Sequence, residues 1–510
     1  MFCIHKAVRQ QFPNAIVDIY QHAPGSEMSM PRINVLKPER THHFSLGPIP
    51  HNEGTTKGTY DVLETIFVEQ FHREPKDFEE ILTLVYGDQK TASIIRGIKN
   101  EWREAPSAYD SHRWILPLSA FFHLRQTFLW MIQKLHFGGE ARSKDDRGRR
   151  DTPSTLYHNM NFWNRKDISA NHAPLHLLEE LVLHSFEARI IAQLYVRLQK
   201  REINIENEDT INDYIRHLTI ADYVSLINEV YAEAFSKDVQ QPSKAKEAAK
   251  NDLEKARKDA KKRDKALRAA RLNSNANVTG AQSSAPTSTP VAVFNVNGLG
   301  LSTSIQTNVQ SAAADITATT PTEIQFDEEF LNHIHFMQQA ETYFTLKYAI
   351  KHADVGLIER VIHRCCAYFS GSNHSNYAFE MLNFQRLLAT EAASPELKQA
   401  ILANSLVNLQ GKEDTWFEID LLNELLNLSL KEILWTRRNS TFSLNLLFER
   451  CALTASYTGE LRTCIERLFG ERTNANHTDK EHAVDLRNLV YEMSKDSMIK
   501  RTKREVGQDN

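Results

Sequence analysis

The sequence has few cysteines and no long apolar run. Its five cysteines are scattered and form no C-x-x-C pair of the zinc type, which favours a reducing compartment. No stretch of about 18 or more apolar residues occurs, so we expect no segment to span a membrane. The first residues lack the apolar core of a signal peptide. We therefore expect an intracellular protein, nuclear or cytoplasmic, that is not secreted.

Several motifs that reveal an enzyme class are also missing. The chain contains no Walker loop, no G-x-G-x-x-G and no G-x-S-x-G, so nucleotide binding and serine hydrolysis have no sequence support. The 21 histidines include no H-E-x-x-H pair, and a zinc site is therefore weakly supported.

Positive charge is concentrated in one segment. Ser243–Arg271 holds 12 Lys and Arg against 5 Asp and Glu, a balance of +7, while the whole chain carries −4. The remainder is therefore acidic, which disfavours tight general binding to phosphate backbones. Any affinity for DNA is expected to be weak and to come mainly from residues 243–271. This segment has high helix propensity but no face to bury, and it predicts a solvated single helix.

The domain organisation follows from composition. Asn273–Thr322 is rich in Ser, Thr, Ala, Asn and Pro and predicts disorder, because it has too little apolar surface to bury. The expected order along the chain is an α/β part (1–137), a helical insertion (138–242), the charged helix and disordered linker (243–325), a helical C-terminal region that completes the core (326–495) and a basic tail (496–510).

The stretch Leu82–Ile98, LTLVYGDQKTASIIRGI, organises the first part. A β-branched and aliphatic run, Ile81–Tyr86, meets Gly87, after which apolar residues recur at helical spacing; this predicts a buried strand, a turn and a helix. Asp88 then lies at the carboxyl end of a strand, where ligands gather in open α/β sheets. Alternatively, Asp88 only caps the helix that follows.

Two further strands are predicted. Gln11–Tyr20 is interpreted as a strand that leads into Asp18, and Arg113–His123 as a buried strand that ends near His123. Neighbouring parallel strands would bring Asp18 and Asp88 to one edge of a sheet. Two or three converging carboxylates are the ligands that Mg²⁺ or Mn²⁺ prefers, and such sites serve phosphoryl transfer. The alternative is that both acids are turn or cap residues.

A third acid is expected from the predicted helix Trp416–Trp435. Asp420, Glu424, Asn427 and Lys431 form one polar stripe on an otherwise apolar helix. Such a stripe either faces water or lines a site.

Two other glutamates are weaker candidates. Glu418 is explained by a capping box, Thr415-x-x-Glu418, without any chemistry. Glu380, within NYAFEML, has less support than the acids on Trp416–Trp435.

Several blocks resemble a known family. YGDQKTASIIRGIK, WILPLSAFFH, HAPLHLLEELVLHSFEARIIAQLYVRL, NYAFEMLNFQRLL and NSLVNLQGKEDTWFEIDLLNELLNLSLKEI are similar to blocks of a large family of uncharacterised fungal and animal proteins. That family is defined by a domain of unknown function and looks derived from transposable elements. It carries no established activity, and its order of elements resembles an RNase H-like transposase, an analogy of fold alone.

The resemblance implies a fold and a site. The fold would be α+β but predominantly α-helical, with a small RNase H-like mixed sheet, a large helical insertion and a helical C-terminal half. Asp18 and Asp88 would be the first two metal ligands, with Glu424 or Asp420 as the third, around Mg²⁺ or Mn²⁺. The protein would then be a metal-dependent nucleic-acid-processing protein, active or decayed. The alternative function is a helical scaffold without chemistry.

Overall fold

The structure is a computed structural model of the whole chain. It describes residues 1–21, 25–44, 46, 49–138, 154–164, 168, 173–235, 328–391, 393–436 and 483–495. The charged segment 243–271, the predicted disordered segment 273–322 and the basic tail 496–510 lie outside these residues. Element labels below refer to the described part of the chain.

Helices dominate the described residues. The N-terminal helices are α1 (Phe2–Gln11), α2 (Pro13–Tyr20), α3 (Thr56–Glu64), α4 (Gln89–Glu101), α5 (Ala108–Ser111), α6 (Phe121–His136), α7 (Leu156–Phe162), α8 (Leu175–Lys200), α9 (Glu208–Arg216) and α10 (Ile220–Phe235). The C-terminal helices are α11 (Glu328–Lys351), α12 (Val355–Gly371), α13 (Ser375–Ala389), α14 (Pro395–Ala403), α15 (Ile419–Thr436) and α16 (Ala483–Lys495). The expectation of a predominantly helical protein is confirmed.

The strands are few and short. β1 (Thr83–Gly87) pairs in parallel with β2 (Ile115–Ser119), and β3 (Leu406–Val407) pairs antiparallel with β4 (Phe417–Glu418). In the β1–β2 pair Gly87 lies opposite Ser119, so the two strands end at the same level. An RNase H-like mixed sheet is not confirmed in the described part of the chain, whose parallel sheet has only these two strands.

One predicted strand is wrong. Gln11–Tyr20 forms the end of α1 and all of α2, and Pro13 lies in the first turn of α2, where proline is well tolerated. Ala15, Ile16 and Ile19 are buried at helical spacing on one side of α2. Short apolar runs do not distinguish a strand from a buried helix by periodicity alone, which explains the error.

A second boundary also shifts. The predicted strand Arg113–His123 is reduced to β2, because α6 already begins at Phe121. His123 therefore lies in the first turn of a helix rather than at the end of a strand. Backbone N–H groups in a first helical turn have no acceptor within the helix. His123 therefore lies beside N–H donors that need an acceptor from elsewhere in the protein.

A single large core joins both halves of the sequence. α8 lies at its centre, buried around its whole circumference from Phe186 to Val196, and it packs against α1, α6, α7, α10 and α16. Apolar side chains of α11, α12 and α13 belong to the same core cluster. Met1–Phe235 and Asn332–Ile499 accordingly form one compact unit. None of the described helices is long and apolar enough to cross a membrane.

Candidate active site at the carboxyl ends of strands β1 and β2

The two parallel strands end side by side, and a helix begins directly after each. α4 follows β1 through Asp88, and α6 follows β2 through Ala120. The backbone N–H groups of both first turns therefore point towards one edge of the sheet. Such an edge attracts acidic side chains and anions, because helix N-termini carry partial positive charge.

Asp88 caps α4. Its Oδ1 accepts a hydrogen bond of 2.6 Å from the backbone N–H of Thr91. The preceding Gly87 suits this turn, since a Cβ atom there would lie 3.0 Å from the Cβ atom of Thr91. The capping interpretation of Asp88 is thus correct for one oxygen, while in the described part of the chain no hydrogen bond engages its other oxygen.

Asp420 reaches across from the first turn of α15 and caps α6. Its carboxylate accepts hydrogen bonds from the backbone N–H of Phe122 at 3.0 Å and of His123 at 3.1 Å. Ala120, the N-cap residue of α6, has no side chain that can do this. Asp420 is only 8% exposed. Asp420 therefore does not face water, and that it lines a site remains a prediction.

His123 is held between two acids of α15. Its Nδ1 lies 3.1 Å from Oδ2 of Asp420, and its Nε2 lies 3.6 Å from Oε1 of Glu424. A carboxylate only accepts hydrogen bonds, so Nδ1 carries the proton. The hydrogen bond to Asp420 raises the pKa of His123, and the charges of Asp420, Glu424 and Asp88 add to this effect against the opposing effect of burial.

The structure thus brings three of the four predicted acids to one histidine and places the fourth elsewhere. Asp88, Asp420 and Glu424 all lie near enough to His123 to act on its protonation. Asp18 lies on the outer side of α2, where its carboxylate accepts a 2.8 Å hydrogen bond from Nε of Arg216. It forms a surface ion pair between α2 and α9.

The two weaker candidates have structural partners. Glu418 does not belong to a capping box, since it lies on β4 and pairs with Nε of Arg125 at 2.6 Å. The capping-box prediction is wrong, because the side chain that pairs with Glu418 lies on α6, almost three hundred residues earlier in the chain. Glu380, buried on α13, pairs with Arg96 of α4.

The site contains one neighbour that the sequence did not suggest. Tyr377 of α13 has a raised pKa, caused first by burial and then by the nearby charges of Asp88 and Asp420. Its phenol therefore lies close to the same acids. No local pattern identifies Tyr377, because NYAFEML is a typical amphipathic helical sequence.

The arrangement of the acids around His123 indicates how they could bind a metal ion. In the described part of the chain no group of three or more His, Cys, Asp and Glu residues is placed to hold a metal ion. Asp420 uses both oxygens for the start of α6 and for His123. Mg²⁺ usually binds one or two protein carboxylates and completes its shell with water and substrate phosphates. Asp88 and Glu424, the two other acids near His123, are carboxylates of the kind that such a shell uses.

Comparison with known proteins gives a family but no activity. No curated protein matches the chain, and no solved structure matches it. The model of one family, described as a family of unknown function (DUF6589), matches residues 5–477, nearly the whole chain. The protein therefore belongs to the family of unknown function DUF6589.

Proposed function

We propose that the protein processes nucleic acid by metal-dependent chemistry on phosphodiesters at the carboxyl ends of β1 and β2. The observation that carries this proposal is the position of His123, held between Asp420 and Glu424 and beside Asp88. A mostly buried acid that orients a histidine, next to two further acids, is an arrangement suited to proton transfer beside a bound cation.

Each residue has a separate role in this proposal. Asp420 fixes the ring of His123 through Nδ1, so that Nε2 is the atom that exchanges a proton with a substrate oxygen. Asp88 and Glu424 offer oxygen ligands to Mg²⁺ or Mn²⁺. When bound, the cation would polarise a phosphoryl oxygen and stabilise the charge that develops on it.

Descent from an RNase H-like transposase belongs to the proposal as well. It is supported by the parallel β1–β2 pair, by the acid directly after β1 and by the late helical acids on α15. Asp18 does not take part in this version of the site, since α2 is a helix and Asp18 pairs with Arg216. The basic segment 243–271 remains a proposed source of weak, salt-sensitive DNA affinity.

A thermal melt in Mn²⁺ and in chelator tests the metal site. A ligand that binds only the folded state stabilises it by about 2.7 kcal/mol at about 100 times its Kd, so Mn²⁺ should raise the Tm by a few degrees. Asp88→Asn can still cap α4, because Asn caps as well as Asp, but it should abolish the Mn²⁺-dependent rise.

Asp18→Asn is the matched control. It removes the same charge from an acid that the sequence predicts to be a metal ligand. In the structure this acid pairs with Arg216. We expect Asp18→Asn to keep the full Mn²⁺-dependent rise in Tm. No Mn²⁺-dependent rise in the Tm of the parent protein would refute the metal site. Loss of this rise in Asp18→Asn would show that Asp18 belongs to the metal site.

The second candidate function, a helical scaffold without chemistry, is favoured by one specific observation. Asp88 and Asp420 both cap helices, which gives each a structural reason to be there. A scaffold predicts that labelled single-stranded and duplex oligonucleotides stay intact in Mn²⁺. The nuclease proposal predicts Mn²⁺-dependent cleavage by the parent and none by His123→Gln.

A further inference from the structure

A basic groove lies beside the candidate site, along the free edge of β2. It has a volume of about 370 Å³ and is formed by α4, β2 and α13. Its cationic side chains are Arg96, Lys99, Arg103 and Arg386, and its only acid is Glu380. Because the described chain is acidic elsewhere, this local excess of positive charge needs an explanation.

Two of these cations lie on α4. Arg96 and Lys99 are three residues apart and share a helix face, and Arg103 lies in the turn that follows the helix. Arg96 pairs with Glu380, and Lys99 donates to the carbonyl of Ile115 on β2. Arg103 pairs only with the exposed Glu104, an interaction that is easily exchanged.

Within the part of the chain that the structure describes, two buried polar atoms of the groove lack hydrogen-bond partners. Oγ of Ser119, at the end of β2, and Nδ2 of Asn383, on α13, are both buried and unpartnered. Ser119 is only 5% exposed. A buried polar group without a partner is costly, and a ligand with acceptor oxygens would relieve the cost for both atoms.

An exposed aromatic ring lies on α13, one of the helices that form the groove. Phe379, Asn383 and Arg386 lie at helical spacing on one face of α13, and Phe379 is 57% exposed. An exposed phenylalanine on the same helix face as an arginine suits stacking on an unpaired base. Asn383 and Arg386 line the groove together with Arg96 and Lys99 of α4.

We propose that this groove binds the phosphate backbone of a single-stranded nucleic acid, with a base stacked on Phe379. The inference rests on the proposed function and names its substrate class. β2 lines the groove and ends at Ser119, and α6, which carries His123, begins two residues later. A strand that lies along β2 is thereby directed towards the candidate site.

A single strand fits better than a duplex. Sequence-tolerant binding of single strands combines a cationic groove with an aromatic ring that can stack on any base. Bases in a duplex are already stacked on one another, so Phe379 would have no partner there.

The experiment measures binding of a labelled oligothymidylate of about 16 nucleotides to the full chain, in chelator, between about 50 and 200 mM salt. Arg103→Gln/Arg386→Gln should weaken binding about tenfold at low salt and reduce the slope of log K against log salt by about 1.4, or about 0.7 for each lost phosphate contact. Phe379→Ala should weaken binding by a similar factor without changing the slope.

The matched control is Lys200→Gln/Arg216→Gln. It removes the same two charges from exposed positions on α8 and α9, away from the groove. We expect parental affinity and slope. Absence of binding by the parent, parental binding by the groove variant, or an equal loss in the control would each overturn the proposal.

Tripolyphosphate at equal phosphate concentration distinguishes a strand from a free anion. We expect it to compete much less well than unlabelled oligothymidylate; equal competition would overturn the strand proposal. Because binding is measured in chelator, its failure leaves the Mn²⁺-dependent rise in Tm intact. Strand binding by a parent that shows no such rise would refute only the metal site.

Discussion

The two ends of α6 hold basic side chains in opposite surroundings. At its start, His123 and Arg125 face the carboxylates of Asp420 and Glu418, and Arg125 also reaches Glu179 at 3.3 Å. At its end, His136 instead forms a hydrogen bond with the neutral amide of Gln339, at 3.0 Å. Carboxylates therefore balance the basic side chains at the start of α6. At its end, called the unbalanced region below, the described residues provide no such carboxylate.

The unbalanced region includes a fully buried arginine. Arg189 of α8 lies with its guanidinium 3.8 Å from the ring centre of Phe336 and donates to the carbonyl of Ser154 at 2.6 Å. Its Nε and Nη1 have no hydrogen-bond partner among the residues that the structure describes. Burial lowers the pKa of Arg189 to about 9, and burial together with Arg189 lowers the pKa of His136 to about 3.

The difference shows what carboxylates do in this core. Where an acid accompanies the basic group, as Asp420 accompanies His123, it orients that group and favours its protonated form. Where the described residues supply no acid, as at Arg189, burial opposes the charge and costs stability. The two regions therefore predict opposite responses to the same kind of substitution.

The largest expected effect is at Arg125. Arg125→Met removes the partner of Glu418, which is only 2% exposed at its side chain, and leaves a buried carboxylate unpaired. We expect the free energy of unfolding to fall by about 3–5 kcal/mol, measured by urea denaturation. Arg364→Met, which breaks the exposed pair with Glu341, should cost less than about 1 kcal/mol. Equal costs for the two variants would contradict the account.

Arg189→Met should behave in the opposite way. It removes a buried charge without leaving an acid unpaired, and methionine can fill most of the volume beside Phe336. We expect the free energy of unfolding to be unchanged or to rise by up to about 3 kcal/mol. A loss as large as that of Arg125→Met would show that Arg189 has an anionic partner in solution.

Acid should destabilise the protein through His136. Its pKa is about 3 in the folded state, below its ordinary value of 6.5, so the unfolded state binds a proton that the folded state does not. Stability is therefore lost as the pH falls below about 6.5, by about 2 kcal/mol at pH 5. His136→Gln should remove that part of the difference in urea midpoints between pH 7 and pH 5. An unchanged difference in this variant would contradict the prediction.

Local sequence patterns were sufficient for the centre of the candidate site. The aliphatic run before Gly87 predicted β1, and the turn placed Asp88 at its carboxyl end. The spacing of Asp420 and Glu424 correctly put both acids on one helix face. These inferences depend on contacts between residues near in sequence, which periodicity reports directly.

The features of the fold and of the site that the sequence did not predict depend on contacts between distant parts of the chain. The apolar run of Gln11–Tyr20 is compatible with a strand or a helix, and packing in the helical core decides the outcome. Glu418 fits a capping box by spacing, but Arg125 is its partner in the fold. Local sequence patterns do not predict the groove along β2 either, because α4 and α13 meet only after folding.

The most direct test of the contrast within α6 is the titration of its histidines by NMR in metal-free buffer. The account predicts that His123 titrates above 6.5, because Asp420 holds its protonated form, and that His136 stays neutral down to about pH 5. Asp420→Asn should lower the midpoint of His123 and leave His136 unchanged. Two histidines that titrate together near 6.5 would contradict the account.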